Sequence, residues 1–174
     1  MLRKSLLTLS GAVLLSGCQA SLPALETVDH VDLDRFMGDW YVIANIPTFV
    51  EKGAHNAVES YRLDEDGTIA TTFTFRKDAF DGPEKQYHPR GFVRNTESNA
   101  EWGMQFIWPF KGDYRIIYLA DDYSATIIGR NKRDYVGLMA RSPEMSDGAY
   151  RAAVEFIERA GYDTSALQRV PQRW

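Results

Sequence analysis

The chain has few of the residues that build disulfides, membrane spans or nucleic-acid sites. Cys18 is the only cysteine among 174 residues, so a disulfide within the chain is excluded. The most apolar stretch near the N-terminus of the chain, Leu6 to Leu15, is far shorter than the roughly 20 residues of a membrane-spanning helix. The formal charge is −4 and Lys and Arg do not cluster, which argues against a nucleic-acid partner.

The sequence also contains no recognisable constellation for catalysis or metal binding. The three histidines, His30, His55 and His88, lie on separate segments without the spacing of metal ligands. Neither a G-x-S-x-G nucleophile motif nor a phosphate-binding glycine loop occurs. We therefore predict no metal, no cofactor and no catalytic residue.

The first eighteen residues have the layout of an export signal. Arg3 and Lys4 precede the apolar stretch, and Leu15-Ser16-Gly17 leads into Cys18. This pattern resembles the lipobox of bacterial lipoproteins, in which the cysteine thiol is acylated and becomes the mature N-terminus. The resemblance implies a signal peptide over 1–17, lipidation of Cys18 and a tether over 18–30. Residue 19 is Gln rather than Asp, which by the same resemblance implies the outer membrane.

The rest of the chain, 31–174, is predicted to form one domain dominated by strands. After a helical turn capped by Asp32, apolar and polar residues alternate in eight segments joined mostly by short turns. The fourth segment contains Pro89, which cannot donate a backbone hydrogen bond, so this segment is predicted to be an edge or bulged strand. A helix capped by Ser146 and stopped by Gly161 follows, and Ala166 to Val170 forms a short final strand. The fold class is therefore all-β, an antiparallel meander closed as a barrel or stacked as a sandwich.

Three motifs resemble those of the lipocalin family, in the family's order and spacing. They are Gly38-Asp39-Trp40, the turn Asp121-Asp122-Tyr123, and an arginine, Arg141, at the end of the eighth strand. The resemblance implies an eight-stranded up-and-down barrel with the C-terminal helix packed outside. It also implies structural roles for Gly38, Trp40, Asp121, Tyr123 and Arg141, with Arg141 stacked across the Trp40 indole. Trp108 to Tyr114 and Arg133 to Tyr135 resemble the bacterial lipocalins related to apolipoprotein D.

Strand alternation then predicts which side chains face the interior, where a barrel of this size holds one small ligand. The predicted ligand-binding residues are Val42, Ala44, Val58, Ser60, Phe73, Phe75, Trp102, Met104, Phe106, Tyr114, Ile116, Tyr118, Tyr135 and Gly137. Ile46 and Met139 share this parity. The set contains neither a carboxylate nor a histidine. Lys52, His55, Lys77 and Lys111 are expected at the open rim, where a headgroup would sit.

The predicted function is a membrane-anchored lipocalin that stores or transports fatty acids or lysophospholipids in envelope maintenance. Two alternatives stay open. One is an enzyme on the same barrel that uses Tyr114, Tyr118 or Tyr135 as acid or base, and the other is a purely structural lipoprotein with a filled barrel. The sequence leaves open whether two barrels pair as a homodimer.

Overall fold

A computed structural model describes residues 22–174. The predicted signal peptide and Cys18 lie outside these residues. The strands are β1 (Gly38–Ile46), β2 (Ala54–Leu63), β3 (Thr68–Lys77), β4 (Glu84–Tyr87), β5 (Arg90–Val93), β6 (Glu101–Ile107), β7 (Phe110–Leu119), β8 (Ala125–Gly129), β9 (Val136–Ala140) and β10 (Gln168–Arg169). The helices are α1 (Leu33–Phe36) and α2 (Asp147–Arg159), followed by a 3-10 turn at Thr164–Ala166.

The strands form a closed antiparallel barrel of eight wall positions, as the sequence predicts. Neighbours in sequence pair with one another, and β9 returns to pair with β1. β4 and β5 occupy one position, because Pro89 cannot donate a backbone hydrogen bond and interrupts the predicted fourth strand. The short β10 pairs with β1 at Ala44 and Asn45 and extends the sheet where β1 leaves β2.

The strand directions define two ends of the barrel. β1 begins at the closed end, so the connections 64–67, 94–100 and 120–124 lie there together with α1. The connections 47–53, 78–83, 108–109 and 130–135 lie at the opposite, open end. A ligand that enters along the barrel axis therefore passes the second group.

The apolar residues form two cores, one inside the barrel and one under α2. The interior core includes Phe36, Trp40, Phe75 and Trp102. The outer core packs Ile157 of α2 against wall residues such as Leu138. This arrangement confirms the predicted helix on the outside of the barrel.

The ends of α2 follow the sequence signals. The Ser146 hydroxyl accepts a hydrogen bond from the Ala149 amide at 3.3 Å. Gly161 adopts a φ of +90°, a conformation open to glycine at little cost, directly after the helix. Within residues 22–174, no helix has the length and apolar character needed to cross a membrane.

Candidate ligand-binding interior

The closed end is held by Arg141. Its guanidinium carbon lies 3.8 Å from the centroid of the Trp40 ring, at the distance of a cation–π contact. It also donates hydrogen bonds of 2.8–3.0 Å to the backbone carbonyls of Arg35, Phe36, Met37 and Asp39. Because a planar guanidinium can stack and donate at once, this residue ties α1 to the first strand.

Tyr123, in the turn between β7 and β8, also contacts the segment that forms α1. The Tyr123 hydroxyl accepts a hydrogen bond from the Asp32 amide at 2.9 Å. The Arg35 guanidinium lies 3.9 Å from the Tyr123 ring centroid and donates to the Asp121 carbonyl at 3.2 Å. These residues therefore join α1 to the turn between β7 and β8, and they do not line the interior.

Aromatic side chains fill the closed half of the barrel. The rings of Trp102 and Tyr114 stack with centroids 5.1 Å apart. Phe36 lies 5.0 Å from Trp40 and 5.5 Å from Trp102, and Tyr61 lies 5.7 Å from Phe36. Rings at these distances form a continuous plug. The closed half of the interior is therefore filled by side chains around Trp40.

The open half has a second aromatic group on β3 and β4. The rings of Phe73 and Phe75 lie 5.2 Å apart, and that of Tyr87 stacks 6.3 Å from Phe75. Phe73, Phe75 and Met104 are buried, as predicted for interior residues. They give this part of the wall an apolar surface.

Gly137 allows the Tyr135 side chain to lie close against the wall at β9. It pairs with Asn45 and points inward with Tyr135, and a Cβ at Gly137 would lie 2.9 Å from the Tyr135 hydroxyl. Val42, Ile116 and Met139 are also buried in the interior core. These residues therefore have the predicted inward orientation, while their contact with a ligand stays a prediction.

The interior also contains a carboxylate that the sequence analysis placed outside. Glu59 is buried and pairs with Trp40 on β1 and Phe73 on β3, both inward-facing. It accepts a hydrogen bond from the Tyr61 hydroxyl, which lies 2.7 Å from the Tyr114 hydroxyl. Burial raises the Glu59 pKa from 4.5 to about 7; the Tyr61 hydrogen bond opposes this shift and the Glu51 charge adds to it.

The tyrosines around Glu59 are kept protonated by the same environment. Burial raises the pKa of Tyr61 and of Tyr114 well above 10, and the Glu59 charge raises both further. Burial likewise raises the pKa of Tyr135, with contributions from the Glu51 and Glu59 charges. These hydroxyls are therefore hydrogen-bond donors at neutral pH.

A second polar group lies near the mouth. The Glu51 carboxylate accepts hydrogen bonds from the Asn45 amide at 3.2 Å and from the Thr48 backbone and hydroxyl at 2.9 and 2.5 Å. Asn45 and Glu51 are both buried. The interior is thus polar near β1 and β2 and apolar near β3, β4 and β6.

A β-bulge in β1 gives two residues an orientation that differs from the prediction. The register with β9 shifts between Val42 and Ala44, so Val42 and Asn45 point inward. Ala44 belongs to the core under α2, and Ile46 packs against that core. The prediction that Ala44 and Ile46 face the interior is therefore wrong.

The predicted orientation of β2 is also wrong. Val58 pairs with Tyr41, and Ser60 pairs with Asp39 and donates to its carboxylate at 2.5 Å, both on the outside. Ala57, Glu59 and Tyr61 occupy the inner face instead. Val58 is more apolar than Glu59, yet in the structure the carboxylate occupies the inner face.

Two further predicted interior residues lie outside. A bulge between Ile116 and Tyr118 turns Tyr118 outward, where its ring lies 5.5 Å from Phe156 of α2. Phe106 follows Met104 into an irregular part of the β6–β7 pairing and is 53% exposed at the open end. Alternation cannot be extrapolated through such bulges.

Four basic residues predicted at the rim have local partners or remain exposed. Lys77 donates to the Lys52 carbonyl and pairs with Asp78 at 3.4 Å. The His55 ring lies 5.0 Å from Phe80, and Lys111 lies 3.4 Å from the Phe92 ring centroid. Lys52 is exposed at the open end.

Two grooves on the outer surface are separate from the barrel interior. One, of about 440 Å³, lies between Ile43, Met145 and the segment 169–172. The other, of about 480 Å³, lies between residues 22–27 and the end of α2. Predicted ligand-binding residues line neither groove. Among residues 22–174, no group of three His, Cys, Asp or Glu side chains is placed to hold a metal ion.

Comparison with known proteins places this geometry in context. Residues 31–172 match the family model described as a lipocalin-like domain. Temperature-induced lipocalin-1 of Arabidopsis thaliana is 31% identical over 160 residues, which cover 85% of this chain and 83% of that protein. Outer membrane lipoprotein Blc of Escherichia coli K12 is 26% identical over 166 residues, covering 94% and 93%. Insecticyanin of the tobacco hornworm shares the fold, with a TM-score of 0.65 at 14% identity over 85% of this chain and 84% of that one.

Proposed function

This chain belongs to the lipocalin family, and from that premise we propose that it is a membrane-anchored carrier of single-chain lipids. Lipocalins in general bind or transport small lipophilic ligands. The specific ligand class proposed here is a fatty acid or a lysophospholipid, held with its acyl chain inside the barrel.

The apolar wall of the open half carries this proposal. Phe73, Phe75 and Met104 are buried between the open end and the aromatic plug, and they form an apolar section of the inner wall that an acyl chain could contact. Burying a 16-carbon chain gains about 12 kcal/mol in transfer, at about 0.8 kcal/mol per CH₂, before ordering and association costs. A micromolar affinity, near 8 kcal/mol, lies within that limit.

Glu59 and Glu51 restrict where the polar end of the ligand can lie. A fatty-acid carboxylate deep in the barrel would face the Glu59 side chain in a medium of low dielectric. The acyl chain therefore enters first and the headgroup stays at the mouth. Lys52, in the β1–β2 connection of the open end, is exposed and available to a phosphate or carboxylate there.

The anchor and the membrane are part of the same proposal. The segment before Cys18 has the charge and apolar pattern of a lipoprotein signal, and the relative Blc of Escherichia coli is named an outer membrane lipoprotein. We place acyl chains on Cys18, cleavage after Gly17, and the protein at the outer membrane. Two or more acyl chains hold a protein firmly, whereas one gives marginal binding.

The experiment is native mass spectrometry of the mature protein, followed by titration of its tryptophan fluorescence with palmitate and with lysophosphatidylethanolamine. Saturable quenching near micromolar supports the proposal. Gly137→Phe places a ring where the Tyr135 hydroxyl lies, so its folding is first checked by circular dichroism and urea denaturation. In a folded variant it should abolish the quenching, while Val58→Phe adds the same ring to the outer face and should not. An unchanged mass and no response to either lipid would refute lipid carriage and favour the filled barrel.

The buried carboxyl group of Glu59 supports catalysis as a second candidate function. The predicted interior set contains no carboxylate, whereas the structure places Glu59 inside the barrel, where burial raises its pKa to about 7. A general acid or base works best with a pKa near the ambient pH. The test is recovery of acyl-ester lipids after incubation with the protein; turnover that is lost in Glu59→Gln would favour an enzyme.

A further inference from the structure

The open end of the barrel carries exposed apolar side chains that the ligand site does not use. We define the apolar rim as Phe49, Ile107, Trp108 and Phe110. Their side chains are 86%, 71%, 80% and 75% exposed. Among residues 22–174, eight large apolar residues are exposed, and five of them, the rim and Phe106, lie at this end. Clustering of this kind marks an interaction surface.

The rim flanks the mouth on both sides. Phe49 lies in the β1–β2 connection, whereas Ile107, Trp108 and Phe110 form the tip of the β6–β7 hairpin. Around the eight wall positions, these two connections are on opposite sides of the barrel. A flat partner that touches both must therefore cover the mouth.

The N-terminal segment approaches the barrel at the same end. The Leu25 amide donates to the Asn131 side chain at 2.8 Å, and Asn131 lies in the open-end connection 130–135. From there the chain runs down the wall, because the Val31 amide donates to the Ser98 carbonyl at the closed end. The path towards Cys18 therefore starts at the open end.

The length of that path favours a membrane next to the rim. The seven residue steps from Cys18 to Leu25 span at most about 25 Å. The nine residues of β1 extend about 30 Å, or about 23 Å along the barrel axis at a tilt near 40°. An anchored Cys18 thus reaches a bilayer at the open end easily, but one at the closed end only when fully stretched.

We propose that the apolar rim inserts into the phospholipid bilayer that holds the Cys18 anchor, so that the barrel mouth faces the membrane. This inference rests on the anchor in the proposed function. Trp and Phe side chains suit the boundary between headgroups and acyl chains. Exposed charges of both signs, Lys52 and Lys132 against Asp81 and Asp134, surround the mouth. Insertion is therefore apolar in origin and persists at high salt.

The test uses the full acylated protein, in which the Cys18 thiol is blocked. Trp108→Cys introduces a unique thiol at the rim, and Trp174→Cys is the matched control. Trp174 is 68% exposed and lies beside Tyr41 on the outer wall, with ring centroids 5.3 Å apart. Each thiol is labelled with the fluorophore NBD, and the protein is placed in phosphatidylethanolamine–phosphatidylglycerol vesicles containing lipids with spin labels on their acyl chains.

The expected result is a blue shift and strong quenching of the label at 108 by the spin-labelled chains. The label at 174 should be quenched by aqueous iodide instead. Phe49→Ser with Phe110→Ser in the Trp108→Cys protein should abolish the quenching by spin-labelled chains while the protein stays on the vesicles. Both side chains are at least 75% exposed, so these changes spare the fold.

Three results would overturn the inference. If the protein carries a single label and is anchored, but iodide still quenches the label at position 108, rim insertion is refuted and lipid carriage is unaffected. If the unlabelled Trp108→Cys protein forms a disulfide between two chains, and the labelled protein shows no quenching by spin-labelled lipid, the rim is a contact between copies of the chain. Mass spectrometry that finds a second label, on Cys18, refutes the anchor and the orientation drawn from it.

Discussion

Replacing Glu59 with glutamine probes a side chain whose charge changes near neutral pH inside the barrel. The carboxyl is buried between inward-facing residues of β1 and β3 and accepts a hydrogen bond from Tyr61. Burial raises its pKa from 4.5 to about 7. Glutamine has nearly the same shape and keeps a hydrogen-bond acceptor, so the substitution removes the charge and little else.

The sign of the effect follows from proton linkage. Between pH 4.5 and about 7 the folded protein binds more protons at this position than the unfolded chain, so Glu59 makes the free energy of unfolding fall as pH rises. Its favourable contribution is complete below pH 4.5 and is lost as pH rises through about 7. At about 1.4 kcal/mol per pH unit, the whole interval corresponds to about 3 kcal/mol.

The assay is urea denaturation of the parent protein and of Glu59→Gln at pH 5 and at pH 8. The unfolding free energy of the variant minus that of the parent should be larger at pH 8 than at pH 5, by about 3 kcal/mol at most. Glu65→Gln, at an exposed position in the β2–β3 turn, is the matched control and should show no such change. An equal difference at both pH values would refute the burial of an ionisable Glu59.

Two further substitutions test the closed end and the outer helix. Arg141→Lys keeps the charge but loses the stack on Trp40 and most of the hydrogen bonds to α1, and should lower the free energy of unfolding by about 2 kcal/mol in urea denaturation. Ser146→Ala removes the cap of α2 and should lower the free energy of unfolding by about 1 kcal/mol. An unchanged stability of Ser146→Ala would contradict the cap. If Arg141→Lys loses no more stability than Ser146→Ala, the guanidinium has no special role.

The sequence predicts the architecture well because its signals are local. Asp32 and Ser146 cap α1 and α2, Pro89 interrupts the fourth wall position, and Gly161 follows the last turn of α2. Each depends on the conformational preference of one residue and needs no knowledge of distant contacts. The alternation between turns supplied the number of wall strands for the same reason.

The interior is harder to predict, because bulges and buried polar groups break the alternation. The bulge in β1 turns Ala44 outward, and the one in β7 turns Tyr118 outward. In β2 the apolar Val58 competes with Glu59 for the inner face, and the aromatic Tyr61, two residues on, supplies the deciding signal. Residues with period two around Tyr61 include Ala57 and Leu63, so the correct parity was present in the sequence. Burying a carboxylate carries a general free-energy cost, so a sequence pattern alone favours Val58 on the inner face.

If the barrel binds a fatty acid as proposed, the charge on Glu59 should make this binding depend on pH. Glu51, Tyr61, Tyr114 and Tyr135 surround it, and the tyrosines stay neutral because burial raises their pKa values. As pH rises through about 7, the ionised Glu59 repels a carboxylate at the mouth, by roughly 1.5 kcal/mol at about 10 Å and an effective dielectric of about 20. Palmitate should therefore bind about tenfold more weakly at pH 8 than at pH 6.

Lysophosphatidylethanolamine, which carries no net charge, is the matched ligand for this measurement. Its affinity should change much less than that of palmitate over the same pH range, and Glu59→Gln should make the palmitate affinity nearly independent of pH. Fluorescence titration of both ligands against both proteins separates the two causes of a pH effect. If palmitate binding weakens equally in Glu59→Gln, the repulsion does not come from this side chain, and the fatty acid lies with its carboxylate elsewhere than above the Glu59–Tyr61 pair.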